Sequence, residues 1–101
     1  AVAALERSVA SQPLFCVGHY RLGLAYEQKG DHAAARQSLT RAVSIEEGGC
    51  ERLQEAFWAR ARAQSKLGKQ AEMRADLERC REISETTATG RKCSRGVSAR
   101  D

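Results

Sequence analysis

Two glycines, Gly30 and Gly68, each lie between two amphipathic segments, and this repeated arrangement constrains the fold more than any other feature of the sequence. Apolar or small residues recur at matched distances after each glycine. The matched positions are Ala35, Leu39 and Ala42 after the first and Met73, Leu77 and Cys80 after the second. Spacings of three and four residues place side chains on one face of a helix. The sequence therefore predicts two consecutive helical hairpins that bend at equivalent glycines.

Composition favours an all-α protein. The chain has 101 residues, enough for one domain with a core, and Pro13 is its single proline. Good helix formers such as Ala, Leu, Arg, Glu and Gln dominate. Charged residues interrupt every apolar run, so no segment approaches the roughly 18 apolar residues of a membrane span.

The first hairpin follows the spacing of the tetratricopeptide repeat, a helix–turn–helix unit of about 34 residues. Its markers are the pair Leu22 and Gly23 followed by Tyr26. Gly23 lacks a Cβ atom, so the second helix can approach the first closely. Gly30 can take the positive φ angle that ends a helix, and Asp31 can cap the next one. The predicted fold is an α-solenoid of antiparallel helix pairs.

The second hairpin matches this pattern less well, and the two turn glycines stand further apart than one repeat length. We assign the extra residues to a bulged linker at residues 46 to 50. The predicted division of the chain is 1–13 as the second helix of a truncated preceding repeat, 14–49 as a repeat, 50–86 as a degenerate repeat and 87–101 as a C-terminal tail.

Helices are predicted at residues 2–11, 16–29, 32–46, 51–67 and 69–86. The tail beyond them is rich in Arg, Ser and Gly and cannot bury a core of its own. We therefore predict that residues 91 to 101 are disordered unless a disulfide at Cys93 tethers them.

Stacked hairpins form a groove lined by the first helix of each repeat. The predicted groove residues are Val17, Tyr20, Leu24, Gln28, Trp58, Arg62 and Ser65. Trp, Tyr and Arg often dominate interfaces, so we predict that this face binds a protein partner. The alternative is that Tyr20 or Trp58 packs against the first helix or the tail. Tetratricopeptide domains that clamp a chaperone's terminal carboxylate use Lys and Asn at these positions, whereas this groove has Arg62 alone.

The residues do not suggest an enzyme. His19 and His32 are the only histidines, and neither belongs to a recognisable nucleophile–base arrangement. The cysteines lack the CxxC spacing of zinc sites. We therefore expect no catalytic residue, no metal, no cofactor and no small-molecule substrate.

Nucleic-acid binding is a weaker hypothesis, based on the net charge of +4 and on a basic excess in the C-terminal half. The basic residues there alternate with acids, which is typical of a solvated helix face. No aromatic residues are interleaved with them for base stacking. We therefore do not expect a nucleic-acid partner.

Four widely spaced cysteines, Cys16, Cys50, Cys80 and Cys93, form an even set. This suggests two disulfides in an oxidising compartment such as a periplasm, with buried free thiols as the alternative. Cys16 and Cys50 each precede the first helix of a repeat, and the bulged linker gives Cys50 freedom to reach Cys16. Cys93 can fold back to Cys80. Of the three possible pairings, we favour Cys16 with Cys50 and Cys80 with Cys93.

The run from Ser11 to Glu27, which includes Phe15-Cys16 at the start of a repeat, together with the three later cysteines, resembles the C-terminal part of the Tgl, PilF and PilW pilotins. These are tetratricopeptide lipoproteins that are anchored to the outer membrane and assist assembly of the type IV pilus secretin PilQ. The resemblance implies a non-catalytic periplasmic scaffold with PilQ as partner, attached to the membrane only through an anchor outside this sequence. The alternative is a cytoplasmic tetratricopeptide adaptor that binds a peptide or helix of a signalling or chaperone partner.

Overall fold

The computed structural model describes residues 2–98, and within that range it contains α-helices, one short 3-10 turn and no strand. The helices are α1 (Val2–Ser11), α2 (Cys16–Gln28), α3 (His32–Ser44), α4 (Gln54–Lys66), α5 (Gln70–Ile83) and α6 (Ala88–Ser98), and the 3-10 turn is Cys50–Arg52. Each helix packs against the next along the chain, and α2 and α6 also contact α4. The all-α, tetratricopeptide-type fold predicted from the sequence is confirmed. None of the helices in residues 2–98 has the length and apolarity needed to cross a membrane.

The two hairpins bend at Gly30 and Gly68, as the sequence predicted. Gly30 has a φ of 80° and Gly68 a φ of 76°, the left-handed conformation that favours glycine. After the first bend, the Asp31 carboxylate accepts a hydrogen bond from the Ala34 backbone N–H at 3.1 Å. This bond satisfies one of the donors left open at the start of α3.

The linker between the hairpins departs from the predicted helix limits. α3 ends at Ser44 and α4 begins only at Gln54, with the 3-10 turn between them. Gly48 and Gly49 both have positive φ angles, 65° and 76°. Two consecutive left-handed residues cannot continue an α-helix, so the extra residues form the bulge expected at this position.

The core consists of two clusters that share α4. The first joins α2, α3 and α4 through Cys16, Leu39, Ala42, Ile45, Cys50, Ala56 and Ala59. The second joins α4, α5 and α6 through Phe57, Ala61, Met73, Leu77, Cys80, Cys93 and Val97. α4 is therefore buried on two sides, which matches its run of buried alanines.

The prediction that no helix follows residue 86 is wrong within the described residues, whereas the disulfide tether at Cys93, on which order in this segment was predicted to depend, is present. α5 ends at Ile83, and α6 begins one 34-residue repeat length after α4. Gly90, Cys93 and Val97 are buried along one face of α6, so this helix stands where the first helix of a further repeat would lie. Residues 99–101 of the predicted tail lie outside the described residues.

A buried glutamine joins the three last helices. The Gln54 Nε2 group donates to the carbonyl oxygens of Cys80, at 2.8 Å, and Ser84, at 2.6 Å. Its Oε1 atom accepts from the Thr87 hydroxyl at 2.6 Å. That hydroxyl also accepts from the Gly90 N–H at 2.9 Å, inside the first turn of α6. These bonds explain where α5 stops and α6 starts.

Both disulfides join consecutive parts of the solenoid. Cys16 is bonded to Cys50 across a Cα separation of 5.9 Å, which ties the start of α2 to the turn before α4. Cys80 is bonded to Cys93 across 6.1 Å, which ties α5 to α6. These are the pairs favoured from the sequence, and all four residues are at most 6% exposed.

Candidate protein-binding groove

The seven predicted groove residues all reach the surface of α2 and α4. Val17, Tyr20, Leu24 and Trp58 are half-buried, and Gln28, Arg62 and Ser65 are exposed. Neighbouring residues on the same helices, such as Ala25, Ala59 and Ala61, are buried. We call the surface formed by these seven residues the groove face.

The groove face contains a first depression, the polar hollow, with a volume of about 410 Å³. It lies between the C-terminal halves of α2 and α4 and is lined by Leu24, Glu27, Gln28, His32, Ala59, Arg62 and Lys66. Ala59 is only 4% exposed and forms part of its floor. The wall from α4 therefore carries two cations, and the wall from α2 carries mainly neutral groups.

The one carboxylate that lines the polar hollow is already engaged. Glu27 Oε1 makes a hydrogen bond with His32 Nδ1, at the turn between α2 and α3. Within residues 2–98, Arg62 and Lys66 have no ion-pair partner. The lining of the hollow thus carries two cations, Arg62 and Lys66, against the single carboxylate of Glu27.

A second depression, the apolar hollow, has a volume of about 180 Å³. It lies between α4 and α5 and is lined by Trp58, Ala61, Arg62, Ser65, Met73 and Leu77. The Arg62 guanidinium carbon lies 6.0 Å from the centre of the Trp58 ring, within the range of a cation–π interaction. Arg62 borders both hollows and is the residue that joins them.

Two of the predicted groove residues, Val17 and Tyr20, line neither hollow. Tyr20 packs against the first core cluster. Burial raises the pKa of its hydroxyl, and the negative charge of Glu55 raises the pKa further. Tyr20 therefore stays neutral and contributes a partly apolar surface to the groove face, outside both hollows.

Trp58 both contacts the core and borders a surface hollow, and its role in binding a partner stays a prediction. One part of its side chain packs against the second core cluster. Another part lines the apolar hollow together with Arg62. That cluster includes Cys93 and Val97 of α6, which lie in the segment predicted as the tail.

Several residues that line the hollows were not predicted as site residues from the sequence. Lys66 lies one helical turn after Arg62, so the helical period could have identified it. Met73 and Leu77 were assigned to the core alone, since nothing in their spacing indicates that a hollow opens onto them. Glu27 enters because α2 contacts α4, and His32 enters because the turn at Gly30 brings the start of α3 to the same hollow.

The histidines show no catalytic arrangement. His19 is 7% exposed, and its Nε2 atom lies at hydrogen-bond distance, 2.8 Å, from the Pro13 carbonyl oxygen. His32 contacts Glu27 at the edge of the polar hollow. Among residues 2–98 there is no group of three or more His, Cys, Asp or Glu side chains that could hold a metal ion.

Comparison with known families identifies one repeat. A family model described as tetratricopeptide repeat matches residues 18–48, which covers most of α2, all of α3 and part of the linker. No curated protein matches the sequence significantly. Repeats of this family typically form non-catalytic modules that bind proteins, which supports a scaffold function. The chain thus carries a tetratricopeptide repeat at residues 18–48 within an all-α, tetratricopeptide-type fold.

Proposed function

We propose that this chain holds a subunit of a type IV pilus secretin on its groove face and assists assembly of that secretin in the periplasm, as a pilotin does. The observation that carries partner binding is the pair of adjoining hollows that meet at Arg62. An apolar pocket beside an unpaired cation is a typical anchor of a protein interface. The full-length protein would reach the outer membrane through a lipid anchor outside this sequence.

The proposed compartment is supported by the cysteines. Disulfides persist mainly in oxidising compartments, and all four cysteines of this chain are paired and buried. The choice of a secretin as partner comes from the resemblance of residues 11–27 and the cysteine pattern to pilotins. The groove geometry is compatible with this partner but does not select it.

Thiol labelling tests the compartment. The protein is purified from its native host without reductant, denatured, and treated with a thiol reagent. We expect no labelled cysteine, since both disulfides form in the periplasm. Four labelled cysteines would overturn the periplasmic assignment and favour the cytoplasmic adaptor.

Binding to the purified periplasmic part of the host's secretin tests the partner. Trp58→Ala enlarges the apolar hollow and removes an aromatic anchor, so affinity is expected to fall by more than about 2 kcal/mol. Because Trp58 also packs against the core, helix content and melting temperature are measured alongside. Arg62→Glu is the second variant, since its exposed side chain can change without disturbing the core. Undiminished binding by both folded variants would refute the assignment of the groove face as the binding site. No binding by the unmodified chain would refute the secretin as the partner.

A further inference from the structure

The two hollows differ in chemistry although they adjoin. The polar hollow carries Lys66 one turn beyond Arg62, and both side chains are exposed. The apolar hollow is walled by Trp58, Met73 and Leu77, of which the last two are 6% and 4% exposed. A ligand that fills both must therefore place an anionic group and an apolar group next to each other.

The size of the apolar hollow limits what can enter it. Its volume is about 180 Å³. An apolar cavity of about 150 Å³ is sufficient to bind benzene in another protein. One side chain of the size of Leu or Phe therefore matches this hollow, whereas a helix or a pair of side chains does not.

The charge around the hollows is positive. Glu27 is hydrogen-bonded to His32, and the lining of the polar hollow carries two cations, Arg62 and Lys66, against this one carboxylate. Helix α6, which contacts α4 and α5, carries the exposed residues Arg91, Lys92 and Arg95 and no acidic residue between Ala88 and Ser98, although none of its residues lines either hollow. Complementarity therefore favours an anionic partner over a cationic one.

We infer that the groove face binds an internal segment of the partner in which an Asp or Glu side chain stands beside a large apolar side chain. The carboxylate lies between Arg62 and Lys66, and the apolar side chain enters the apolar hollow. Both hollows open to solvent along the same helix, so a chain can continue past them in both directions. The proposed carboxylate belongs to a side chain, and a peptide with a free terminal carboxylate tests whether a chain end can replace it. This inference rests on the proposed function and states the chemistry of the partner.

Short peptides serve as the probe. They are acetylated and amidated, with one Glu and one Leu at varied spacing in a Ser/Gly background. Matched peptides replace Glu by Gln or Leu by Ser, and a further peptide has no Glu but a free terminal carboxylate. Binding is followed by amide chemical shifts and by Trp58 fluorescence. The Glu–Leu peptides should shift amides near the two hollows, and the Gln peptides should bind about fivefold or more weakly, the scale of losing an interface anchor.

Variants of exposed residues locate the two subsites. Arg62→Glu and Lys66→Glu should each weaken the Glu–Leu peptides about fivefold or more by replacing attraction with repulsion. Ser65→Trp should block the apolar hollow and remove the preference for Leu over Ser. The matched control is Arg41→Glu, which makes the same charge change on the exposed surface of α3 away from the groove. It should change binding by less than about twofold.

The outcomes separate this inference from the proposed function. Equal binding of Glu and Gln peptides, or unchanged binding to Arg62→Glu, would overturn the acidic requirement even if Trp58→Ala still releases the secretin. Binding by the free-acid peptide alone would show that the carboxylate is a chain end and would also overturn it. If the affinity for the secretin is unchanged in every groove variant, the proposal that the groove face binds the secretin is refuted.

Discussion

At Gly23, the absence of a side chain sets the distance between α2 and α3. A Cβ atom built on this residue would lie 2.6 Å from Leu39 Cγ, and Leu39 is completely buried. Such a distance is too short for two carbon atoms, so either the helices or Leu39 would have to move. Gly18 in the same helix is different, because its added Cβ would lie 3.4 Å from Val9 Cγ1, an ordinary contact.

These two glycines make a matched pair of substitutions. Gly23→Ala should lower the free energy of unfolding by about 1 to 3 kcal/mol, because it overpacks the contact with Leu39. Gly18→Ala should be neutral or should stabilise by up to about 1 kcal/mol, because Ala is the better helix former. Urea denaturation followed by circular dichroism measures both. Equal midpoints for the two variants would contradict the close approach of α2 and α3.

The two buried glutamines of α4 also differ. Gln54 is 4% exposed, and both ends of its amide are hydrogen-bonded. Gln64 is 3% exposed, and its Oε1 atom has no hydrogen-bond partner within the described residues. Removing a buried amide that is fully hydrogen-bonded leaves its partners without a hydrogen bond. Removing a buried acceptor that has no hydrogen bond relieves a desolvation cost.

Methionine, which has a similar length and no amide, tests this difference. Gln54→Met should destabilise the protein by about 1 to 3 kcal/mol, since the Cys80 and Ser84 carbonyls and the Thr87 hydroxyl lose a partner. Gln64→Met should cost less than that or should stabilise. Thermal unfolding of both variants gives the comparison. A larger loss for Gln64→Met would mean that its amide is bonded in solution.

Among the elements, α6 depends most on its neighbours. It contains two glycines and two serines, and a short helix of that composition is not stable alone in water. Cys93 and Val97 become buried against α5, and an added Cβ at Gly96 would come within 2.9 Å of Leu77 Cδ1. The Cys80–Cys93 bond holds α6 in that position.

Removing each disulfide by paired alanine substitution tests this dependence. From the lengths of chain they close, 34 residues for Cys16–Cys50 and 13 for Cys80–Cys93, the losses should be about 4 and about 3 kcal/mol. The amides of α6 should lose hydrogen-exchange protection selectively in Cys80→Ala/Cys93→Ala. Full protection of α6 in that variant would show that packing alone retains it.

The molecule as a whole is a short row of helices, 41 × 28 × 20 Å, in which α1 and α6 form the ends. In such repeat structures each unit is stabilised by its neighbours. α4 takes part in both core clusters, whereas no residue of α1 is buried. Leu39 and Leu77 are 0% and 4% exposed, but Leu5, which has the matching position in α1, is only half-buried.

This arrangement predicts a gradient of local stability. In native-state hydrogen exchange, the amides of α3 and α4 should exchange slowest and those of α1 fastest, because local opening costs least where least surface is buried. The α1 amides should exchange without unfolding of the remainder. Protection of α1 equal to that of α4 would show that the whole row unfolds as one unit.

The sequence by itself determined the hairpins, because their signals are local. Gly30, Gly68 and Asp31 act through backbone conformation and capping, and the three- and four-residue spacing of Ala35, Leu39 and Ala42 defines a helix face whatever packs against it. The favoured cysteine pairs followed from the same register. The groove face could likewise be placed on α2 and α4, since a helix exposes the side opposite its core contact.

Only the tertiary structure decided the existence of α6 and the form of the groove. The composition of residues 91 to 101 predicts disorder unless Cys93 is tethered, and the apolar stripe through Cys93 and Val97 becomes stabilising only when α5 supplies a surface to bury it. The hollows are spaces between helices, so Met73 and Leu77 entered the site through packing. Side-chain period tells which way a residue faces, but the shape between two helices depends on how closely they approach.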